Sequence, residues 1–86
     1  MLKINTRQRE GFTVFGLSGR IEAEQIPELQ NLLGPEESFG KIILDLADTR
    51  LVDREVVVFF VDCEAKGMKL ENCPAYVRKW MAKEKH

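Results

Sequence analysis

Three aspartates lie close together in the middle of the chain, and their carboxylates are the groups best suited to chemistry. Asp45 and Asp48 belong to the end of an apolar run, Lys41 to Leu46, and the turn after it, and Asp53 follows shortly afterwards. Open α/β sheets usually bind ligands at the carboxyl ends of their strands, and grouped carboxylates can hold a divalent cation. Turn formation by Asp45 and Asp48 and helix capping by Asp53 are the stronger explanations, so the sequence assigns no metal.

Other reactive side chains are sparse. Cys63 and Cys73 are too few for a disulfide scaffold or a four-ligand zinc site, and they are expected to be packing thiols. The single histidine, His86, ends a basic tail, and there is neither a Ser/His/Asp set nor a Gly-rich phosphate loop. The inventory therefore predicts that the chain is not an enzyme and needs no cofactor.

The bulk composition is that of a small domain. The chain has 86 residues, of which 44% are hydrophobic and 31% charged, with a net charge of −1, so residues 1–86 are expected to form one domain. The near-zero charge argues against general binding to nucleic acid. No apolar run is long enough to span a membrane, and the start of the chain lacks the apolar core of a signal peptide. A cytoplasmic location is expected.

The hydrophobic periodicity predicts a mixed α/β domain in the order β-β-α-β-α-β-α. Short alternating or continuous apolar runs predict four strands, near residues 2–5, 12–17, 41–46 and 68–71. Apolar residues at helical spacing predict helices near residues 22–33, 52–66 and from Pro74 onward. Asp48, Thr49 and Arg50 are predicted to lie in a loop. The two βαβ units imply a four-stranded, mostly parallel sheet with the first strand antiparallel at an edge.

One segment has conflicting signals. Val56 to Val61 has the composition of a strand, but Asp53 can cap a helix and Gly67 can end one. Val56, Phe59, Phe60 and Cys63 also follow the i, i+3, i+4, i+7 spacing of a helix. The sequence therefore favours a helix in this segment.

Four stretches, taken in order, resemble the STAS family (sulfate transporter and anti-sigma factor antagonist domains). Residues 16–21 (GLSGRI) are similar to the family's strand end, L-x-G-x-(I/L), and residues 43–49 (ILDLADT) to its (I/V)-(I/V)-L-D-L-S-x-V strand and loop. Residues 52–56 (VDREV) stand where the family carries (M/I)-D-S-S-G-(L/V), and residues 67–74 resemble its closing G-x-x-(L/V)-x-x-x-x-P with one residue fewer before Pro74. The resemblance implies the STAS fold.

The chain departs from the family at its regulatory position. STAS modules carry a serine or threonine at the start of the second helix, which a partner kinase phosphorylates. Here Asp53 keeps the match, but Arg54 stands at the switch position and Glu55 and Val56 follow it. Arg54 cannot accept phosphate on a hydroxyl, and its charge is opposite to that of phosphoserine. It either faces an acidic or phosphorylated group of a partner or is a solvated arginine.

The resemblance implies a bacterial regulatory module that binds a protein, with a kinase-like anti-sigma factor as the typical partner. The expected partner-binding residues surround the start of the second helix and the neighbouring strand ends: Arg20, Asp48, Thr49, Asp53, Arg54 and Glu55. A subunit that handles a small ligand or lipid, or accompanies a transporter, is the alternative. The sequence leaves a homodimer open.

Overall fold

The structure is a computed structural model that describes residues 1–85, so His86 of the predicted basic tail lies outside the described residues. It contains five strands, three α-helices and two short 3₁₀ helices. The strands are β1 (Leu2–Arg9), β2 (Phe12–Ile21), β3 (Ile42–Asp45), β4 (Thr49–Val52) and β5 (Lys69–Glu71). The helices are α1 (Ile26–Leu33), α2 (Arg54–Ala65) and α3 (Ala75–Glu84), with 3₁₀ turns at Ala23–Gln25 and Glu36–Lys41. The α/β class predicted from the sequence is confirmed.

The sheet is mixed and has the strand order β1-β2-β3-β5, with β4 also paired to β2. β1 and β2 are antiparallel, and the other pairings are parallel, as predicted. The predicted number of four strands is wrong. β2 has ten residues and β3 only four, so β3 pairs with residues 13–16 of β2 and β4 pairs with residues 19–21. The predicted loop at residues 49–50 is therefore the beginning of β4.

The first helix, predicted near residues 22–33, becomes a regular α-helix only at Ile26. Residues 23–25 form a 3₁₀ turn, and α1 begins at Ile26 with Pro27 in its first turn. Proline is tolerated there because the first backbone N–H groups of a helix have no partner inside the helix. At α3, Pro74 is the residue that precedes the first turn instead of a member of it.

The segment with strand-like composition is a helix, as predicted. Asp53 caps the start of α2, and Gly67 ends it with a φ of 106°. The Met68 N–H donates to the Cys63 carbonyl and the Gly67 N–H to the Glu64 carbonyl, which is the Schellman pattern of a helix end. Val56, Val57, Phe60 and Cys63 are buried, while Phe59 of the predicted stripe is only half-buried. Burial of each large apolar side chain contributes about 1.5–3 kcal/mol.

All three α-helices pack into one hydrophobic cluster with one face of the sheet. Phe15 and Leu44 belong to that cluster, whereas Val14 and Ile43 are equally buried but lie outside it. Because successive strand residues point to opposite faces, Val14 and Ile43 lie on the other face, which we call the uncovered face.

Ion pairs span the uncovered face. Arg7 of β1 donates to Asp45 of β3 at 2.9 Å, and Arg9 of β1 pairs with Glu71 of β5. By strand alternation and register, these four residues share the face of Val14. The edge strand is thus tied by side chains to two strands with which it shares no backbone hydrogen bond.

None of the helices formed by residues 1–85 combines the length and the apolar character that a membrane span requires.

Candidate functional site: the start of α2 and the adjoining groove

Asp53 acts as a structural connector at the start of α2. One carboxylate oxygen, Oδ1, accepts from the Val56 N–H at 3.1 Å, and the other, Oδ2, accepts from the Ala23 N–H at 2.8 Å. The first contact caps α2, and the second holds the 3₁₀ turn that follows β2. Both oxygens are engaged with backbone groups, so the interpretation as a cap is confirmed.

Arg54, at the position of the expected phosphorylation switch, is exposed and paired within the chain. Its Nε and Nη2 atoms each donate to a carboxylate oxygen of Glu84, both at 3.2 Å, so the contact is bidentate. The hydrogen bond and the charge of Glu84 raise the pKa of Arg54. The arginine side chain is still 67% exposed. The sequence left open whether Arg54 faces an acidic group of a partner or is solvated, and the chain itself supplies an acidic group, Glu84, from the last turn of α3.

A groove between α1 and α2 adjoins Arg54. Its volume is about 560 Å³, and its apolar lining comes from Ile26, Val58 and Phe59. Val58 is 43% exposed although it is apolar. Gln30, Arg54, Glu55 and Asp62 supply the polar part of the lining. α2 packs closely against α3 on its other side, so this flank of α2 is the open one.

The groove continues toward the end of α2. A second depression of about 220 Å³ shares Gln30, Phe59 and Asp62 with the first and reaches Lys66. Lys66 donates to Glu36 at 2.6 Å and pairs with Asp62 at 2.9 Å. We call the two depressions together the α1–α2 groove.

Thr49 does not belong to an exposed surface, contrary to the prediction. It is only 6% exposed, and its hydroxyl donates to the Leu17 carbonyl of β2 at 2.8 Å. The residue begins β4 and helps to join that strand to β2. Its hydroxyl is therefore used inside the sheet.

Asp48 and Arg20 are exposed but lie away from the α1–α2 groove. Asp48 follows β3 in a turn, where its carbonyl accepts from the Gly19 N–H at 3.0 Å. Arg20 alternates with the buried Ile21 and thus points to the uncovered face. The six predicted site residues divide accordingly: Asp53, Arg54 and Glu55 adjoin the start of α2, and the other three do not line the groove.

The three aspartates considered as cation ligands are not brought together. Asp45 is held by Arg7, by Asn72 at 3.1 Å and by the Ala47 N–H at 3.1 Å. Burial raises the pKa of Asp45, but these hydrogen bonds outweigh burial, and the pKa lies below its usual value. Within residues 1–85, no three Asp, Glu, Cys or His side chains are arranged to hold a metal ion.

The two cysteines have the environment of packing residues. Cys63 is buried, and Cys73 is half-buried. Burial, with a smaller contribution from the charge of Asp62, raises the pKa of the Cys63 thiol to about 12. Burial also raises the pKa of Cys73. Since the thiolate is the reactive form, neither thiol has the low pKa of a nucleophile.

Sequence reasoning missed the groove and the partner of Arg54. Val58 stands four residues after Arg54 and four before Asp62, so it interrupts the polar side of α2 with an apolar side chain. That interruption was a usable signal for the groove. The pairing with Glu84 had no sequence signal, because thirty residues separate the two.

The sequence matches no model of a known protein family, and a search of curated proteins finds no significant relative.

Proposed function

We propose that the chain is a non-enzymatic protein–protein interaction module of the STAS type, which docks a regulatory protein through the start of α2. The four motif stretches support this proposal, as do the mostly parallel sheet with β1 antiparallel at its edge and the cap at Asp53. A kinase-like anti-sigma factor is the class of partner proposed.

One observation carries the proposal. The start of α2 presents Arg54, Glu55 and the half-exposed Val58 side by side, next to an open groove with an apolar lining. A charged rim around a partly apolar centre is the usual composition of a protein-binding patch. Asp53 uses both of its oxygens to hold this surface in place.

We propose further that docking here proceeds without the serine switch. Arg54 occupies the switch position, and the hydroxyl of the nearby Thr49 is buried and bonded. The Ser18 hydroxyl is half-exposed and makes only a long contact of 3.5 Å with the Lys3 carbonyl. Control of binding would then depend on the amount or state of the partner.

Site-specific photo-crosslinking in living cells tests the proposal. A benzophenone amino acid is introduced at Val58, beside the proposed surface, and separately at Lys69, which is exposed on the uncovered face. We expect one discrete crosslinked protein from position 58 and none from position 69. Glu55→Lys combined with the probe at position 58 should reduce that product, because it reverses an exposed charge beside the probe.

Four results would count against the proposal. Equal crosslinking from both positions, or none from position 58, would remove the docking surface. A lipid or nucleotide retained by the purified chain in native mass spectrometry, with no crosslinked protein, would favour a ligand-handling subunit. Phosphate on Ser18 that abolishes the crosslink would contradict docking without phosphorylation.

A further inference from the structure

The α1–α2 groove combines an apolar lining with an excess of negative charge. We infer that it accepts an amphipathic helix of the partner protein, with its apolar side against Val58 and Phe59 and a basic polar side. This inference rests on the proposed function and specifies the chemistry of the partner segment.

The walls of the groove favour a helix over an extended segment. Along the first depression the walls are the helices α1 and α2, whose backbone groups are mostly bonded within each helix. Along the second depression the wall opposite α2 continues with Gly34, Glu36 and Phe39, which belong to no strand. An extended segment would find no strand edge there to bond with its own N–H and C=O groups. A helix needs no such edge, because these groups are already hydrogen-bonded within it. Side chains of a helix can also interdigitate with those of α1 and α2.

The length of the groove sets the length of the partner helix. Val58 and Asp62 lie one turn apart on α2, and the groove extends from Arg54 to Lys66. At 1.5 Å per residue, this stretch of α2 is about 18 Å long, or roughly three turns. A partner helix of about three turns would place apolar anchors at i, i+3 or i+4, and i+7.

The charges around the groove determine the sign of the charge expected on the partner helix. Arg54 is neutralised by Glu84, and the single ammonium of Lys66 is shared between Glu36 and Asp62, which leaves one negative charge in excess. Glu55 adds another and has no ion-pair partner among the described residues.

The chain around α1 extends this acidic region. Residues 21–40 contain five glutamates and no lysine or arginine, although the whole chain has a net charge of only −1. Glu36 lines the second depression, and the other four lie before, within and after α1, at positions 22, 24, 28 and 37. Complementarity therefore requires lysine or arginine on the polar side of the partner helix, and such charges also accelerate encounter.

A designed peptide tests this inference directly. The probe is a 14-residue helix with leucine at positions i, i+3, i+4 and i+7 and lysine on its polar side, and the control peptide carries glutamate in place of every lysine. We expect the lysine peptide to shift the amide NMR signals of Ile26, Gln30, Val58 and Phe59. The glutamate peptide should leave these signals in place.

Matched variants test separately how the apolar lining and the negative charge of the groove contribute to binding. Val58→Asp should weaken lysine-peptide binding by about tenfold or more, because it places a charge in the apolar lining. Leu32→Asp, at a leucine of α1 that is 40% exposed and outside the groove, is its control. Glu55→Lys should weaken binding by about two- to fivefold, whereas Glu10→Lys, with the same change in net charge, should not.

The outcomes distinguish this inference from the proposed function. The inference would be overturned if both peptides bound alike or if the NMR shifts were centred outside the groove. It would also be overturned if Val58→Asp and Leu32→Asp had equal effects on binding. A partner crosslinked at position 58 through an acidic or extended segment would also overturn it while the proposed function stands. Absence of any specific crosslink would remove the proposed function itself.

A second copy of the chain is the competing occupant, because α3 carries basic residues. Sedimentation velocity over a range of protein concentrations distinguishes the two. We expect a monomer at all concentrations. If the chain self-associated and both Val58→Asp and Lys79→Glu abolished this association, the inference would be overturned. The groove would then be the binding site for α3 of another copy.

Discussion

Asp53 offers the sharpest test of how the candidate site is built, since one carboxylate supports two backbone elements. Asp53→Ala removes the acceptor of the Val56 N–H, and the loss of such a helix cap costs about 1 kcal/mol. It also removes the acceptor of the half-buried Ala23 N–H, which costs about another 1–2 kcal/mol. The expected loss is about 2–3 kcal/mol in the free energy of unfolding, a large share of the roughly 5 kcal/mol expected for a domain of this size.

Asp53→Ser separates the two contributions. A serine hydroxyl at this position can cap α2 but is too short to reach the Ala23 N–H as well. The serine variant should therefore lose about 1–2 kcal/mol, less than the alanine variant. Both variants should increase hydrogen exchange at the Ala23 amide, and only Asp53→Ala should do so strongly at Val56.

Urea unfolding followed by circular dichroism measures these differences. The slope of the free energy against urea concentration should stay constant, so that a shift in midpoint reports stability alone. Asp48→Ala is the matched control, because that exposed aspartate makes no side-chain hydrogen bond among the described residues and should change stability by no more than about 0.5 kcal/mol. If Asp53→Ser were as stable as the unsubstituted chain, the role of the second oxygen would be refuted. Equal losses for Asp53→Ala and Asp53→Ser would instead refute the contribution of the cap.

Three further predictions concern buried or paired groups. Thr49→Val should lower the free energy of unfolding by about 1–2 kcal/mol, because it leaves a β2 carbonyl without its buried donor. Thr49→Ser keeps the hydroxyl and should lower this free energy clearly less in the same urea assay. Equal losses in the two variants would contradict the role of the hydroxyl. The pKa of Asp45 is lowered in the folded state, so its stabilisation is present at neutral pH and is lost as the pH falls from about 4 through the folded pKa. Arg7→Met should flatten this acid dependence in urea titrations at stepped pH, and an unchanged dependence would exclude the ion pair as a cause. At pH 8, iodoacetamide should label Cys73 before Cys63, because Cys63 is buried and has a pKa of about 12. Peptide mass spectrometry follows the labelling, and equal rates for the two thiols in the folded protein would show that Cys63 is not protected.

The helices could be predicted because their signals are local. Asp53 and Gly67 mark the two ends of α2, and these end signals, together with helical spacing, outweighed the strand propensity of valine and phenylalanine. The first turn of α1 tolerated Pro27 for the same local reason. Capping and periodicity depend on residues within a few positions of one another, so the sequence alone contains them.

The missed strand depended on distant chain segments. Nothing in the polar residues before Leu51 indicates a strand, and β4 forms because the far end of β2 is left unpaired by the short β3. Thr49 is buried for the same reason, since its hydroxyl bonds to β2. Such outcomes follow from unequal strand lengths, which periodicity within one segment does not reveal.

The candidate site was predicted in part. The position of Arg54 at an exposed helix start followed from the cap, but its bidentate contact with Glu84 depends on how α3 packs against α2. The groove depends on the spacing between α1 and α2, which is also a property of packing. Val58 was the one residue whose type conflicted with its polar neighbours on α2.

The ion pairs of the uncovered face also bear on how the molecule opens. β1 is an edge strand with mostly exposed residues, so by itself it would fray early. Arg7 and Arg9 reach past β2 to strands formed much later in the chain, 38 and 62 residues away. Detaching β1 therefore also breaks contacts of β3 and β5, which couples the beginning of the chain to its last strand. Concentrated salt should loosen this coupling first, and native-state hydrogen exchange would show β1 separating from the rest of the sheet.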